Sequence, residues 1–330
     1  MKIALAALLA LPLAGAMAAT AASPAYKLTH SIAVGGEARW DYLTIDSAAH
    51  RLYVSHGTQT EVIDTQSEKV VGTIADTAGV HGIAIAGDLG LGYTSNGKSD
   101  SVTVFDLATL KVRSTIKVGT NPDAIVYTNG RVITFNGRSK DATVIDAKTG
   151  TVLGTVPVGG KPEFAQVGRD GMVYFNIEDT SELAVLDPAD LELERRRPLK
   201  PCDSPTGLAI DEQQRLYSVC DNKMMIVSDT KGKRVAQVAI GSGPDGVAWL
   251  DGMAFSANGA DGNVTAAVEN APGKYQVAAT IPTAAGARTI AADPATHKLY
   301  LPAADYKPGQ AGEKRQGVPD TFRILVLERQ

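Results

Sequence analysis

TEVID at Thr60–Asp64 returns as VTVFD at Val102–Asp106, ATVID at Ala142–Asp146, LAVLD at Leu183–Asp187 and MIVSD at Met225–Asp229. Each copy is rich in apolar and β-branched residues and stops on Asp, the composition of a short strand running into a turn. The closing Asp residues stand 42, 40, 41 and 42 positions apart. A fixed period of roughly 40–50 residues built from short strands marks a propeller, in which each repeat is one small sheet.

Working outward from that segment, the same order recurs. Downstream lies an outer strand such as KVVGTI (Lys69–Ile74) or KVRSTI (Lys111–Ile116). Upstream lies a second strand such as RLYVS (Arg51–Ser55), RLYSV (Arg215–Val219) or KLYLP (Lys298–Pro302). Before that, a V-G-x-x-P-like turn, as in Val118–Pro122 or Gly241–Pro244, leads into a small, apolar innermost strand. Gly suits turn positions that need positive φ, and Pro can start a strand without removing a ladder donor.

Seven innermost strands are headed near Asp41, His81, Asp123, Glu163, Thr206, Asp245 and Arg288. The expected fold is all-β, a seven-bladed β-propeller of four-stranded antiparallel blades. The last repeat stops at its third strand, ILVLE (Ile324–Glu328), while YKLTHSIAV (Tyr26–Val34) has an outer-strand pattern and no repeat of its own. Pairing of these two segments closes the ring and removes exposed strand edges.

The second strands carry a further pattern: Tyr53-Val54-Ser55-His56, Tyr93-Thr94-Ser95-Asn96, and more loosely Tyr174-Phe175-Asn176 and Phe255-Ser256-Ala257-Asn258. Together with PDGVA at Pro244–Ala248, this repeat resembles the YVTN-type β-propeller family across the whole chain after its leader. The resemblance implies a periplasmic or surface propeller of seven four-stranded blades. It implies no single activity, since that family includes nucleic-acid and partner binders. Seven-bladed propellers elsewhere include lactonases, lyases and dehydrogenase subunits, and a fold shared so widely does not assign function.

Residues 1–22 read as a signal peptide. Lys2 supplies the positive end, Ile3–Leu13 the apolar stretch, and Ala16-Met17-Ala18 or Ala19-Thr20-Ala21 the small-residue cleavage site. Export to the periplasm or beyond is the expectation, and residues 23–330 form one propeller domain. The formal charge of −4 becomes −5 without Lys2. Mild acidity argues against nucleic acid as a partner, because phosphate-backbone binders show basic patches. Arg195-Arg196-Arg197, flanked by Glu192 and Glu194, reads as a solvated strand.

Chemistry is expected at one face, where the strand heads and the second-strand ends meet. Asp41, His81, Asp123, Glu163, Asp245 and Arg288 converge on the channel mouth if the heads face the axis. Acids with an imidazole suit a divalent metal, for which His56, His81 and Glu163 are the named ligands; Arg288 suits a carboxylate or phosphate. Read as structure, Asp at these heads only satisfies turn amides.

His56 replaces the Asn that ends other second strands, Asn96, Asn136, Asn176 and Asn258, where Asn tolerates left-handed backbone and bonds its own turn. Arg39, Trp40, Asp41 and Tyr42 break the first turn; Trp40 either stacks on a ligand or plugs the mouth against a neighbouring blade. Cys202 and Cys220, the two cysteines, fall on one face of the fifth repeat and make a structural disulfide in an oxidising compartment. The insertion Ala304–Asp320 lies on the same face and reads as a lid, a partner contact or a tolerated loop.

The reading is a monomeric, exported propeller that binds a small molecule, a divalent metal or a periplasmic protein at the channel mouth. The alternatives are a lactonase, lyase or isomerase acting through Asp41, His56, His81, Glu163 and Arg288, and a pure interaction scaffold.

Overall fold

The computed structural model describes residues 25–307 and 316–330. The expected leader at residues 1–22 lies outside them. Seven four-stranded antiparallel sheets are present. In blade 1 the strands run Leu43–Asp46, Arg51–His56, Gln59–Asp64 and Lys69–Ile74, innermost to outermost. Blades 2 to 6 repeat that order, with innermost strands Val80–Ala86, Pro122–Thr128, Pro162–Val167, Pro205–Ile210 and Pro244–Leu250. Each innermost strand packs beside the next, and the seventh, Ala291–Asp293, packs beside the first, so the ring is closed.

Blade 7 takes its outermost strand from the other end of the chain, as the sequence predicts. Tyr26–Ala33 pairs antiparallel with Arg323–Arg329, from Tyr26 opposite Arg329 to Ala33 opposite Arg323. Among the described residues, no helix is long and apolar enough to cross a membrane.

The repeated Asp at the end of the third strand in blades 1 to 5 has a local cause. Asp64, Asp106, Asp146, Asp187 and Asp229 each use Oδ1 to accept backbone N–H bonds from the turn that follows, for example Ser67 N at 2.6 Å and Thr109 N at 2.8 Å. These are Asx turns, in which the side chain stands in for a backbone acceptor. The glycine of P-D-G-x-A is required by close packing between innermost strands: a Cβ on Gly246 would lie 2.9 Å from Thr289 Cα in the next blade, and one on its blade 5 counterpart Gly207 would lie 2.6 Å from the carbonyl oxygen of Asp245.

Core side chains interlock between neighbouring blades. Phe135 of blade 3 meets Phe175 of blade 4 with ring centroids 4.6 Å apart, and Tyr26 meets Phe255 edge-on at 5.0 Å across the closure. Polar clamps reinforce the contacts: Arg51 donates to the carbonyl of Leu107, Arg131 to that of Pro188, and the Tyr93 hydroxyl to that of Ala147 at 2.6 Å.

The Asn residues at second-strand ends play a different part from the one expected. Asn96, Asn136 and Asn258 sit in extended strands, and none has positive φ. Each is fully buried, and its Nδ2 donates across to the third strand, to Thr103, Thr143 and Thr265 at 2.8–2.9 Å. Each Oδ1 accepts from a hydroxyl two residues back, on Thr94, Thr134 or Ser256. The amide therefore satisfies buried hydroxyls on both strands, which explains its recurrence better than turn geometry does.

Candidate functional site at the channel mouth

The innermost strands all begin at one face, which gathers their head residues there. Blade 1 departs from the repeat here: Arg39–Tyr42 precede the strand, and hydrogen bonds to both neighbours hold them. Tyr42 N donates to His81 O at 3.2 Å, Thr289 Oγ1 donates to Asp41 O at 2.6 Å, and Arg288 Nη2 donates to Trp40 O at 2.9 Å.

The head residues form two linked groups. In the first, His81 Nδ1 lies 2.5 Å from Asp41 Oδ2 and 3.7 Å from Asp123 Oδ1. In the second, Arg288 bonds Asp245 at 2.7 Å and stands 3.6 Å from Asp41. Glu163 pairs with Lys161 at 2.7 Å, and Lys161 also pairs with Glu178. Thr206 contributes no charge and donates to Pro244 O at 3.3 Å.

Burial sets the electrostatics. It would drive the proton off His81, but the Asp41 hydrogen bond and the charge of Asp123 outweigh it and raise His81 to about 9. Burial pushes Asp123 up, helped by the charges of Asp41 and Asp245 and opposed by His81. Burial likewise raises Glu163, with Asp123 adding to it and Lys161 pulling back, and raises Asp245 against Arg288. Four acids thus share the mouth with Lys161, Arg288 and a protonated His81.

Sequence reasoning passed over Phe164 and Lys161, and it marked Tyr42 only as a break in the first turn. Tyr42 reaches across to Phe164 of blade 4, edge-on at 4.7 Å, and the pair narrows the channel. Burial holds the Tyr42 hydroxyl well above its ordinary range, with Asp123, Glu163, Asp41 and Asp245 adding to the effect. Beyond the constriction is a mainly apolar cavity of ≈ 590 Å³ lined by the innermost strands. Lys161 had a visible signal, since a cation stands before Pro162 where Asn121 and Gly243 precede Pro122 and Pro244.

On the mouth side, Asp41, His81, Trp40 and Arg288 line a cavity of ≈ 810 Å³, with Arg39, Lys98, Arg138 and Tyr306 also around it. Trp40 is buried and packs between blades, stacked on Phe322 at 5.5 Å and tilted against Tyr306 at 6.4 Å. The Arg288 guanidinium lies 5.8 Å from its ring centroid. Packing against the neighbouring blade is thus the geometry observed for Trp40. Arg39 is exposed and 3.7 Å from Glu37.

His56 stands apart from His81. It is buried, stacked on Phe322 at 4.4 Å, with Nδ1 3.1 Å from Glu61 and Nε2 2.6 Å from the carbonyl of Glu37. Glu61 occupies the third-strand position that Thr103 holds in blade 2, so His56–Glu61 is the blade 1 counterpart of Asn96–Thr103. Both imidazole nitrogens are engaged there. The structure therefore does not gather His56, His81 and Glu163 into one ligand set; it brings Asp41 and Asp123 to His81 instead.

Cys202 and Cys220 form the expected disulfide, with Cα atoms 5.5 Å apart. The insertion leaves and rejoins the blade as an antiparallel pair, Tyr306 opposite Gly317, and both line the mouth cavity. Its residues 308–315 lie outside the described residues.

No family model matches the chain, and no curated protein does. Solved structures do. The RRP9 WD40 repeats align with a TM-score of 0.77 over 93% of this chain and 99% of theirs, at 9% identity. U3-55K aligns at 0.75 over 90% and 97%, also at 9% identity. Hydrazine synthase from Kuenenia stuttgartiensis aligns at 0.68 over 83% and 94%, at 17% identity. At such identities the likeness establishes the propeller fold alone.

Proposed function

We propose that this chain is an exported, YVTN-type propeller whose channel mouth binds a small organic anion. A propeller suits small-molecule or protein binding. The observation that carries the small-molecule reading is the mouth cavity of ≈ 810 Å³, which has Lys98 and Arg138 at its edge. Both side chains are exposed and, among the described residues, have no acidic partner. Cations left unpaired around a concave site are the ordinary means of capturing a carboxylate or phosphate. Arg288, by contrast, is already committed to Asp245 and Trp40, and it serves as the wall of the site.

Thermal melting of the purified protein with millimolar mono- and dicarboxylates and phosphate esters tests this. At least one class raises the melting temperature, as any ligand of the native state must. The Lys98→Ala/Arg138→Ala variant melts like the parent without anion and loses the response. A flat panel, or a variant that responds like the parent, overturns the reading.

Export is supported by the leader-like first 22 residues and by the Cys202–Cys220 bridge, which belongs in an oxidising compartment. Fractionation of the producing cells should recover a shortened, disulfide-bonded chain outside the cytoplasm. Recovery of the full-length, reduced chain inside it would refute export.

A further inference from the structure

We infer that Asp41, His81 and Asp123 form a site for one divalent transition-metal ion, open toward the mouth cavity. The inference rests on reading the mouth as a binding site, and it adds the cation that such a site would hold. The three residues come from the heads of consecutive blades, 1, 2 and 3, and one ligand atom from each lies within 4.8 Å of the others.

Proximity of acids alone would not carry the assignment. Asp123 supplies a second observation. It is 8% exposed, and its Oδ1 is sealed from water without any hydrogen-bond partner. His81 Nδ1 is 3.7 Å away, beyond hydrogen-bond reach. A buried carboxylate oxygen left in this condition is costly, and an ion between it and the imidazole would satisfy it.

The imidazole is also positioned for the task. Its Nε2 lies over Gly97, where a Cβ would come within 2.6 Å, so the absent side chain of blade 2 makes room for the ring. Nδ1 then faces both carboxylates. Binding an ion at Nδ1 releases the proton held between His81 and Asp41 to solvent and exchanges their hydrogen bond for metal contacts to each. One imidazole nitrogen and two carboxylate oxygens suit divalent ions such as the borderline Zn²⁺ or the harder Mn²⁺, and three protein ligands leave coordination positions free. Asp41 and His81 line the ≈ 810 Å³ cavity, so those positions are open to solutes. A cation would offset the excess of acids over Arg288 and Lys161.

Chelator-stripped protein is titrated calorimetrically with ZnCl₂ and separately with MnCl₂, and metal content is then measured by elemental mass spectrometry. One ion binds per chain. Asp123→Asn and His81→Gln each weaken binding by about tenfold or more, equivalent to about 1.4 kcal/mol, while Asp190→Asn, at an exposed acid outside the mouth, binds as the parent does. Far-UV circular dichroism confirms that each variant is folded. Should Asp123→Asn fail to fold, Asp41→Asn takes its place, with the same expected loss. Absence of uptake by the folded parent overturns the site, and so does equal uptake by the parent and the ligand variants. Anion-induced melting shifts measured on stripped protein report separately on the organic-ligand reading, so failure of one leaves the other visible.

Discussion

A chain lacking Tyr26–Ala33 is expected to lose its cooperative fold. Without that segment blade 7 keeps three strands, and Arg323–Arg329 becomes an open edge inside what should be a closed ring. The lost contacts are substantial. Tyr26 is buried against Phe255, and its hydroxyl donates to Asp251 at 2.7 Å; Ile32 is buried in the cluster with Trp40, Leu52 and Phe322. Burial of two such side chains contributes about 3–6 kcal/mol. Each ladder hydrogen bond adds about 1 kcal/mol. Native domains hold only about 5–15 kcal/mol in total, so the truncated chain should aggregate or unfold at low urea. Urea denaturation followed by tryptophan fluorescence measures this. A synthetic peptide spanning Tyr26–Val34 should partly restore the transition when added in trans, because the missing strand is continuous and pairs with a single partner. A soluble truncated protein with the parental midpoint would show that closure contributes little.

The Cys202→Ser/Cys220→Ser variant is expected to lose about 3 kcal/mol, the loop-closure value for a bridge of this span; the two cysteines are 18 residues apart. Both are essentially inaccessible, at 1% and 0% exposure, so the pair also fills space between blades 4 and 5. Cys220 ends the second strand of blade 5, where blades 2, 3 and 6 place a buried Asn amide. In blade 5 the bridge instead ties that strand end to the turn that precedes the innermost strand. Equilibrium denaturation with and without reductant checks the expectation: reductant should lower the parent to the level of the variant and leave the variant unmoved. An unchanged midpoint in the variant would mean that packing alone holds this blade.

Much of the architecture was legible because it repeats. The Asp that caps the third strand in five blades, the Gly that lets innermost strands approach in blades 2, 5 and 6, and the apolar alternation are local requirements, so the copies report the same fold. Closure was legible too, since Ile324–Glu328 lacked a neighbour and Tyr26–Val34 lacked a repeat. The meaning of departures from the repeat was less so. His56 and His81 look equivalent as two histidines at one face, yet one is a buried strut on Glu61 and the other faces two carboxylates. Asn96 and its counterparts recur for their amide chemistry within the sheet, which a turn-based reading of Asn does not reveal.

By itself, the sequence determined the seven blades, their strand order, the closing strand and the cysteine pair, because each depends on spacing along the chain. Tertiary structure alone decided which head residues touch. His56 finds Phe322, Arg288 finds Asp41 and Trp40, and Tyr42 finds Phe164, each across a ring whose curvature sets the distance between blades. That curvature results from side-chain packing between sheets, and no single repeat encodes it. The approach of Asp41 and Asp123 to His81 therefore emerged only when three consecutive blades were seated side by side around the axis.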